Sequence, residues 1–393
     1  MDRVRSRSGR TVVLAPDKFK GSLDAPGVAG ALAAGIADVA PHWEVRRAPV
    51  ADGGEGTVEA VLAAGWEPRT VASRGPVGNP LTVTYARRGP VAVIELAAVA
   101  GLGVLPGGRA RPLDAGTAGL GTVLAHALDD GADEIVVGLG GSASTDGGAG
   151  LLTGLGARIL DTAGCELPYG GAALARAARL DLSGLHPRAR TSRFVFACDV
   201  DNPLLGPDGA AAVYGPQKGA DPEQVRLLDA ALARWARVLH DATGRDVAGV
   251  PGAGAAGGAM CGAAAVLGAT RTSGVRTVLD LIGFDRTVDG ADLVITGEGR
   301  LDHQSLHGKA PTGVAAAARS AGVAVIAVAG ECSLDDEALR RAGFAGVHTL
   351  TALAPDSATA ILEAPSLLRQ VGRALATADT SLPTAPARAA HRP

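Results

Sequence analysis

Two stretches far apart in the chain share one texture, and that return constrains the fold more than any other feature. Thr11-Val-Val-Leu-Ala15 is a short β-branched run ended by Pro16; a polar loop and an alanine-rich helix over 22–39 follow, with Ser22 and Asp24 as its N-cap. A strand over 44–49 leads through Ala51-Asp-Gly-Gly-Glu-Gly-Thr57 to a second alanine-rich helix ending near Gly65. After Asp285 the same alternation resumes, with strands over 291–296, 323–329 and 347–351 and helices over 311–321, 335–342 and 357–376. Buried parallel strands read as unbroken apolar runs, so residues 11–66 and 285–376 are assigned to one parallel sheet.

The interval between them has a different pattern. Short alternating strands over 69–72, 81–87 and 91–96, split by Gly75, Gly78-Asn-Pro80 and Gly89-Pro90, predict an antiparallel meander. Helix and strand then alternate again, through 117–128, 134–138, a helix after Asp146, 193–197 and a long helix over 222–240. The expected fold class is therefore α/β in two domains: a discontinuous Rossmann/flavodoxin-like parallel-sheet domain (11–66 plus 285–376) with a second, mixed α/β domain inserted (67–284). Residues 1–10 and 377–393 are expected to be disordered tails.

Composition narrows the partners. With 37 Lys+Arg against 40 Asp+Glu, the net charge of -3 gives no reason to expect nucleic acid or an anionic membrane. Residues 247–270 carry no charge over a length able to span a bilayer, but they are mostly glycine and alanine and are interrupted by Pro251, so they read as a tight turn entering a helix. Cys165, Cys198, Cys261 and Cys332 are scattered without C-x-x-C spacing, which argues against a zinc site or a disulfide framework and points to the reducing cytoplasm. Glycine is 56 of 393 residues, so short glycine patterns arise by chance. Gly252-Ala-Gly254-Ala-Ala-Gly257 fits G-x-G-x-x-G but follows a poor strand, and a dinucleotide site is not expected there.

Ligands of an open parallel sheet collect beyond the carboxyl ends of its strands. Loops in such positions carry Asp17-Lys18-Phe-Lys20-Gly-Ser22, Asp52-Gly-Gly-Glu-Gly-Thr57, Gly297-Glu298-Gly-Arg300-Leu-Asp302 and Cys198-Asp199-Val-Asp201-Asn202. Turn chemistry accounts for each alone; together they mix cations, carboxylates and pliable backbone. The densest glycine loop spans residues 138–150 and holds Gly140, Gly141, Ser142, Ser144, Thr145 and Asp146. Its N–H groups and hydroxyls could cradle phosphate oxygens, with Asp146 either part of that cradle or an N-cap. It is neither a Walker A loop nor a nucleophile elbow.

These residues carry a resemblance. Ala15-Pro-Asp-Lys-Phe-Lys-Gly-Ser-Leu23 resembles the opening motif of the type I bacterial glycerate kinases, and Ala51 to Thr57 resembles the second. Three more motifs follow in family order: the loop 138–150; Cys198-Asp-Val-Asp-Asn-Pro-Leu204 with Tyr214-Gly-Pro-Gln-Lys-Gly-Ala220; and Ile295-Thr-Gly-Glu-Gly-Arg-Leu-Asp302 with Gln304-Ser305 and Gly308-Lys309. The similarity covers about residues 11–376. One departure stands in the glycine loop, where the family often has Thr-Asn and this chain has Ser144-Thr145.

What the resemblance implies is ATP-dependent phosphorylation of D-glycerate, giving 2-phosphoglycerate, with a 3-kinase as the alternative. On that reading Gly140, Gly141, Ser142, Ser144 and Asp146 hold ATP phosphates, and Asp199 and Asp201 hold Mg²⁺. Lys18 is the cation at the transferring phosphoryl group; Lys20, Ser22, Glu298 and Arg300 bind the substrate, arginine suiting its carboxylate. Asp52 or Asp302 accepts the hydroxyl proton, and Asp199 counts with Lys18, Asp52 and Asp302 among the catalytic groups. A homodimer is left open. Two other classes compete: a non-catalytic nucleotide or carboxylate sensor that kept the pocket, and a nicotinamide oxidoreductase, against which the missing strand-G-x-G-x-x-G-helix unit counts.

Overall fold

The computed structural model describes residues 9–306 and 308–378; most of the two expected tails, residues 1–8 and 379–393, lies outside the described residues. These described residues contain thirteen strands, β1 to β13 in chain order, and they form two compact units. The first comprises residues 9–52, 59–65 and 275–378, the second residues 53–58 and 66–274.

The first unit is built on a five-stranded sheet in the order β13-β12-β11-β1-β2, with every neighbouring pair parallel: β1 is Thr11–Pro16, β2 Glu44–Arg47, β11 Leu293–Leu301, β12 Ala324–Cys332 and β13 Gly346–Thr349. Counted within the unit this is the flavodoxin order, 2-1-3-4-5, whose direction of winding reverses between β1 and β11. Side chains alternate across the sheet. Val12, Leu14, Ile295 and Val328 pack with the helices Ala25–Val39 and Ala364–Thr377 on one face. Val13, Ala15, Val294 and Ala327 pack with the helices Gly274–Ile282, Ala310–Ser320 and Asp336–Ala342 on the other. The result is the doubly wound α/β layering expected from the sequence.

Three local expectations are corrected. The first helix begins at Ala25 with Asp24 alone as N-cap, accepting from Gly27 N–H at 2.7 Å, because the hydroxyl of Ser22 is spent on the carbonyl of Ile361 at 2.8 Å. The closing helix is two, Ser357–Leu362 and Ala364–Thr377, since Pro365 in the first turn of the second cannot continue the ladder of the first. Most consequentially, the segment read as a loop at 297–302 is largely strand. β11 continues beside β12 through Arg300↔Glu331 and Leu301↔Cys332, and side-chain-free Gly297 lets the Val328 carbonyl approach to where a Cβ would be 1.8 Å away.

The second unit has a six-stranded mixed sheet in the order β10-β9-β6-β5-β4-β3. Here β3 is Glu67–Arg74, β4 Pro80–Arg88, β5 Val91–Glu95, β6 Glu134–Gly138, β9 Arg193–Ala197 and β10 Thr270–Thr272. The pairs β3/β4 and β4/β5 form the expected meander, and the remaining neighbours are parallel. A two-stranded ribbon, β7 (Arg158–Leu160) with β8 (Arg179–Asp181), lies outside that sheet. The core of the unit includes Tyr85, Phe194, Phe196 and Trp235, each at most 2% exposed. Among the described residues no helix is long and apolar enough to cross a membrane; the uncharged stretch contains the short helix Ala255–Leu267.

Small residues set the distance between the helices Ala25–Val39 and Ala364–Thr377. A Cβ on Gly35 would lie 2.0 Å from the carbonyl oxygen of Arg369. Beside this contact Asp38 accepts from Arg369 at 2.7 Å and from Arg373 at 2.6 Å. Replacing Gly35 by Leu forces the helices apart and should cost about 1–3 kcal/mol, read as a lower midpoint in denaturant unfolding with an unchanged slope. An unchanged midpoint would show that the helices shift without penalty.

Candidate active site

The reversal point of the parallel sheet is where such folds leave a crevice, beyond the carboxyl ends of β1 and β11. The chain leaves β1 at Pro16, and the Asp17 N–H is held by the Gly297 carbonyl at 2.8 Å. Asp17 therefore sits at the strand end, buried, its Oδ1 accepting the Lys18 N–H at 2.7 Å. Burial, and then the negative charge of Asp52, push its carboxyl from 3.8 up to about 8. Because Glu298 is on a strand, it too is fixed and buried, with Oε1 lacking any hydrogen-bond partner and Oε2 3.5 Å from Lys309 Nζ. Desolvation raises its proton affinity, and the Lys309 charge partly offsets this.

Asp302 ends the strand and caps the following turn, accepting the N–H groups of Gln304 at 2.9 Å and Ser305 at 3.2 Å. Against the pull of desolvation, Lys309 at 3.9 Å and those N–H groups hold it below the ordinary carboxylate range. Arg300 is exposed, 3.8 Å from Asp302, and Lys20 is exposed as well. Of the residues expected in this unit, the structure thus gathers Lys18, Asp52, Glu298, Arg300 and Asp302 at one end of the sheet, while Ser22 has its only hydroxyl proton committed elsewhere. Sequence reasoning missed Asp17 and gave no role to Lys309, although both stand inside the quoted motifs.

In the second unit the loop after β6 is held from beneath. Asp146 is buried and accepts from Thr117 N and Thr117 Oγ1, both at 2.8 Å, from Gly150 N at 3.1 Å and from Gly148 N at 3.3 Å. Burial raises its proton affinity, and those four donors pull it back. The carboxylate expected among the phosphate ligands is therefore turned into the loop's own backbone, the N-cap alternative in kind.

A second backbone presses on the loop. Gly257, at φ +68°, lies so close that a Cβ would be 2.0 Å from the Ser144 carbonyl, and Trp235 Nε1 donates to Gly147 O at 2.9 Å. The G-x-G-x-x-G match is thus a packing surface. With the frame so fixed, the hydroxyls of Ser144 and Thr145 are fully buried and without partners. Lys218, 2% exposed, donates to Ser144 O at 2.6 Å; desolvation lowers its pKa from 10.5 to about 8, opposed by Asp146. A buried cation beside unfilled hydroxyls suits an anion such as a phosphate.

The loop after β9 carries exposed Asp199 and Asp201. Both carboxylate oxygens of Asp199 accept the Gly274 N–H at 3.1 Å, and Asp201 is paired with Arg271 at 2.7 Å. As hard oxygen donors, Asp199 fits a divalent cation, whereas Asp201 would have to release its arginine first. Among the described residues there is no group of three or more His, Cys, Asp and Glu side chains arranged to hold a metal.

A flavodoxin-order sheet interrupted by a mixed α/β unit, with strand-end carboxylates in one and an anion-ready glycine loop in the other, defines a two-unit α/β enzyme of the kind that handles phosphorylated ligands. The model of the glycerate kinase family matches residues 12–379, and the chain belongs to that family. It is 42% identical to a glycerate kinase of Halalkalibacterium halodurans over 93% of this chain and 97% of the relative. It is 41% identical to the glycerate 2-kinase of Escherichia coli K12, over 86% and 90% of the two chains. A crystal structure from Salmonella typhimurium LT2, provisionally named glycerate kinase 2, superposes with a TM-score of 0.82 at 39% identity, covering 95% of this chain and 99% of that one.

The raised proton affinity of Asp17 has a measurable consequence. Its folded carboxyl keeps a proton up to about 8, while an unfolded one releases it near 3.8. The stability from this group is whole below the lower value and is lost as pH rises through the upper one. The melting temperature of the wild-type chain should therefore fall more steeply between about pH 5 and pH 8.5 than that of Asp17→Asn. Parallel curves would mean that Asp17 ionises as an ordinary carboxylate.

Proposed function

We infer that this chain is a glycerate kinase that transfers the γ-phosphoryl group of ATP to D-glycerate, with 2-phosphoglycerate as product. The observation that carries the reading is the family match over residues 12–379, and the relative named glycerate 2-kinase supports the choice of the 2-hydroxyl. The substrate hydroxyl oxygen bonds to the γ-phosphorus, the bond from that phosphorus to the β,γ-bridging oxygen breaks with its electron pair leaving on ADP, and the hydroxyl proton passes to a carboxylate.

The roles follow the geometry. Gly140, Gly141 and Ser142 offer backbone N–H groups to the phosphates, Ser144 and Thr145 their unpartnered hydroxyls, and Lys218 a desolvated charge. Asp146 shapes the loop. Asp199, and Asp201 once freed from Arg271, would hold Mg²⁺, which would supply positive charge against the phosphates. Lys18 serves the transferring group, while exposed Lys20 and Arg300 take the glycerate carboxylate. Asp302, held below the ordinary carboxylate range by Lys309, is a weak proton acceptor; Asp17, whose proton affinity is raised by burial and then by the Asp52 charge, is the better one. ATP as co-substrate supports a cytoplasmic enzyme.

A coupled assay tests the reading: D-glycerate and Mg·ATP, with the product fed to enolase and pyruvate kinase, with and without phosphoglycerate mutase. Signal without mutase is expected; signal only with mutase would assign the 3-hydroxyl, and none in either would favour a sensor that binds without turnover. Lys218→Met should then lower kcat by about 10²–10³-fold, the usual loss for one transition-state donor, with thermal unfolding recording whether the fold survives. Normal turnover would remove Lys218 from the phosphate site.

A further inference from the structure

The second unit contains a cavity of about 380 Å³ for which the motifs account at one edge only. Asp146 and Gly150, at the end of the glycine loop, form that edge. Opposite are aliphatic and aromatic side chains from the ribbon and the segment that joins its strands, Ile159 of β7 with Leu167 and Tyr169. The charged residues of the lining besides Asp146 are Arg74, the last residue of β3, and Glu166. Neither has a part in the phosphate cradle, and the ribbon itself lies outside both sheets that carry the strand-end motifs.

A nucleoside triphosphate has two ends of opposite chemistry, one polyanionic and one a flat heterocycle on a sugar. The loop supplies the first requirement through buried hydroxyls at Ser144 and Thr145 that lack partners and through the buried ammonium of Lys218. The cavity begins two residues further along the same loop, at Asp146. Its size lies within the range of small-molecule pockets. Tyr169 and the aliphatic wall offer a face for a π-system, and Glu166 an acceptor for ribose hydroxyls or an exocyclic amine. We propose that this cavity receives the adenosine end of the nucleotide whose phosphates lie on the 138–150 loop; the proposal rests on the kinase reading for the identity of the nucleotide.

The test uses the full chain and measures binding of Mg·ADP, adenosine and tripolyphosphate by calorimetry, beside turnover with D-glycerate. Two variants alter the cavity at exposed positions: Tyr169→Ala removes a wall, and Thr153→Trp, also in the lining, fills the space. Each should weaken Mg·ADP and adenosine by about tenfold or more, the scale of one lost base-stacking contact, with tripolyphosphate affinity and the KM for D-glycerate unchanged. Variants that bind Mg·ADP as tightly as the wild type would overturn the cavity assignment while wild-type turnover leaves the kinase reading standing. Wild-type binding of adenosine and Mg·ADP without phosphorylation of D-glycerate would do the reverse. Equal weakening of tripolyphosphate and adenosine in both variants would trace the effect to a disturbed loop and also overturn the assignment.

Discussion

The carboxylate of Asp146 is the contact on which the order of the second unit's glycine loop depends. Trp235 and Leu232 pack against the loop at Gly147, and hydrogen bonds order the rest of it. Asp146 gathers donors from two directions: Gly148 and Gly150 within its own loop, and Thr117 at the head of the helix Ala118–Asp129. Thr117 Oγ1 then accepts from Leu151 N at 2.8 Å, so the loop, the helix it enters and the neighbouring helix share one buried network. Such a network is worth most when every member is satisfied. Beside this network the hydroxyls of Ser144 and Thr145 stand buried without partners.

The architecture was legible because Thr11–Pro16, the start of Leu293–Leu301 and most of Ala324–Cys332 are apolar on both sides of the sheet, as a doubly covered parallel sheet requires; the edge strand Glu44–Arg47 carries no such signal. Strand order was not legible. Nothing local in Thr11–Pro16 says that its neighbours are Glu44–Arg47 and Leu293–Leu301; that follows from which helices cover which face. The continuation of β11 through Gly297-Glu298-Gly299 was hidden for a related reason. Glycines that usually announce a turn here permit the close approach of a neighbouring strand, a tertiary fact.

The site divides in the same way. Candidate residues that stand after a strand, such as Lys18, Asp52 and Asp199, could be picked out from alternation and residue type. Residues whose role comes from burial could not. Lys218 reads as one more surface lysine in Tyr214-Gly-Pro-Gln-Lys-Gly-Ala220, and only the packed fold shows it 2% exposed beneath the loop. Asp17 after a proline reads as a turn residue. Its character arises first from burial and then from Asp52, with Glu298 adding a smaller push, and neither carboxylate is near it in sequence. Ser22 erred in the opposite direction: a hydroxyl suited to a ligand is consumed by Ile361.

These buried charges also argue for function in their own right. Removing a carboxylate from water beside two others is unfavourable, and so is burying an ammonium with one hydrogen-bond acceptor identified for it; neither Asp17 nor Lys218 is explained by stability. Each is biased toward its neutral form by the protein itself, and each gains from a ligand of the complementary kind. A phosphate near Lys218 restores its full charge in a setting where little water screens the pair. A cation near Asp17 lowers its proton affinity. The cost at both positions thus has one direction: it is relieved by a ligand of opposite charge.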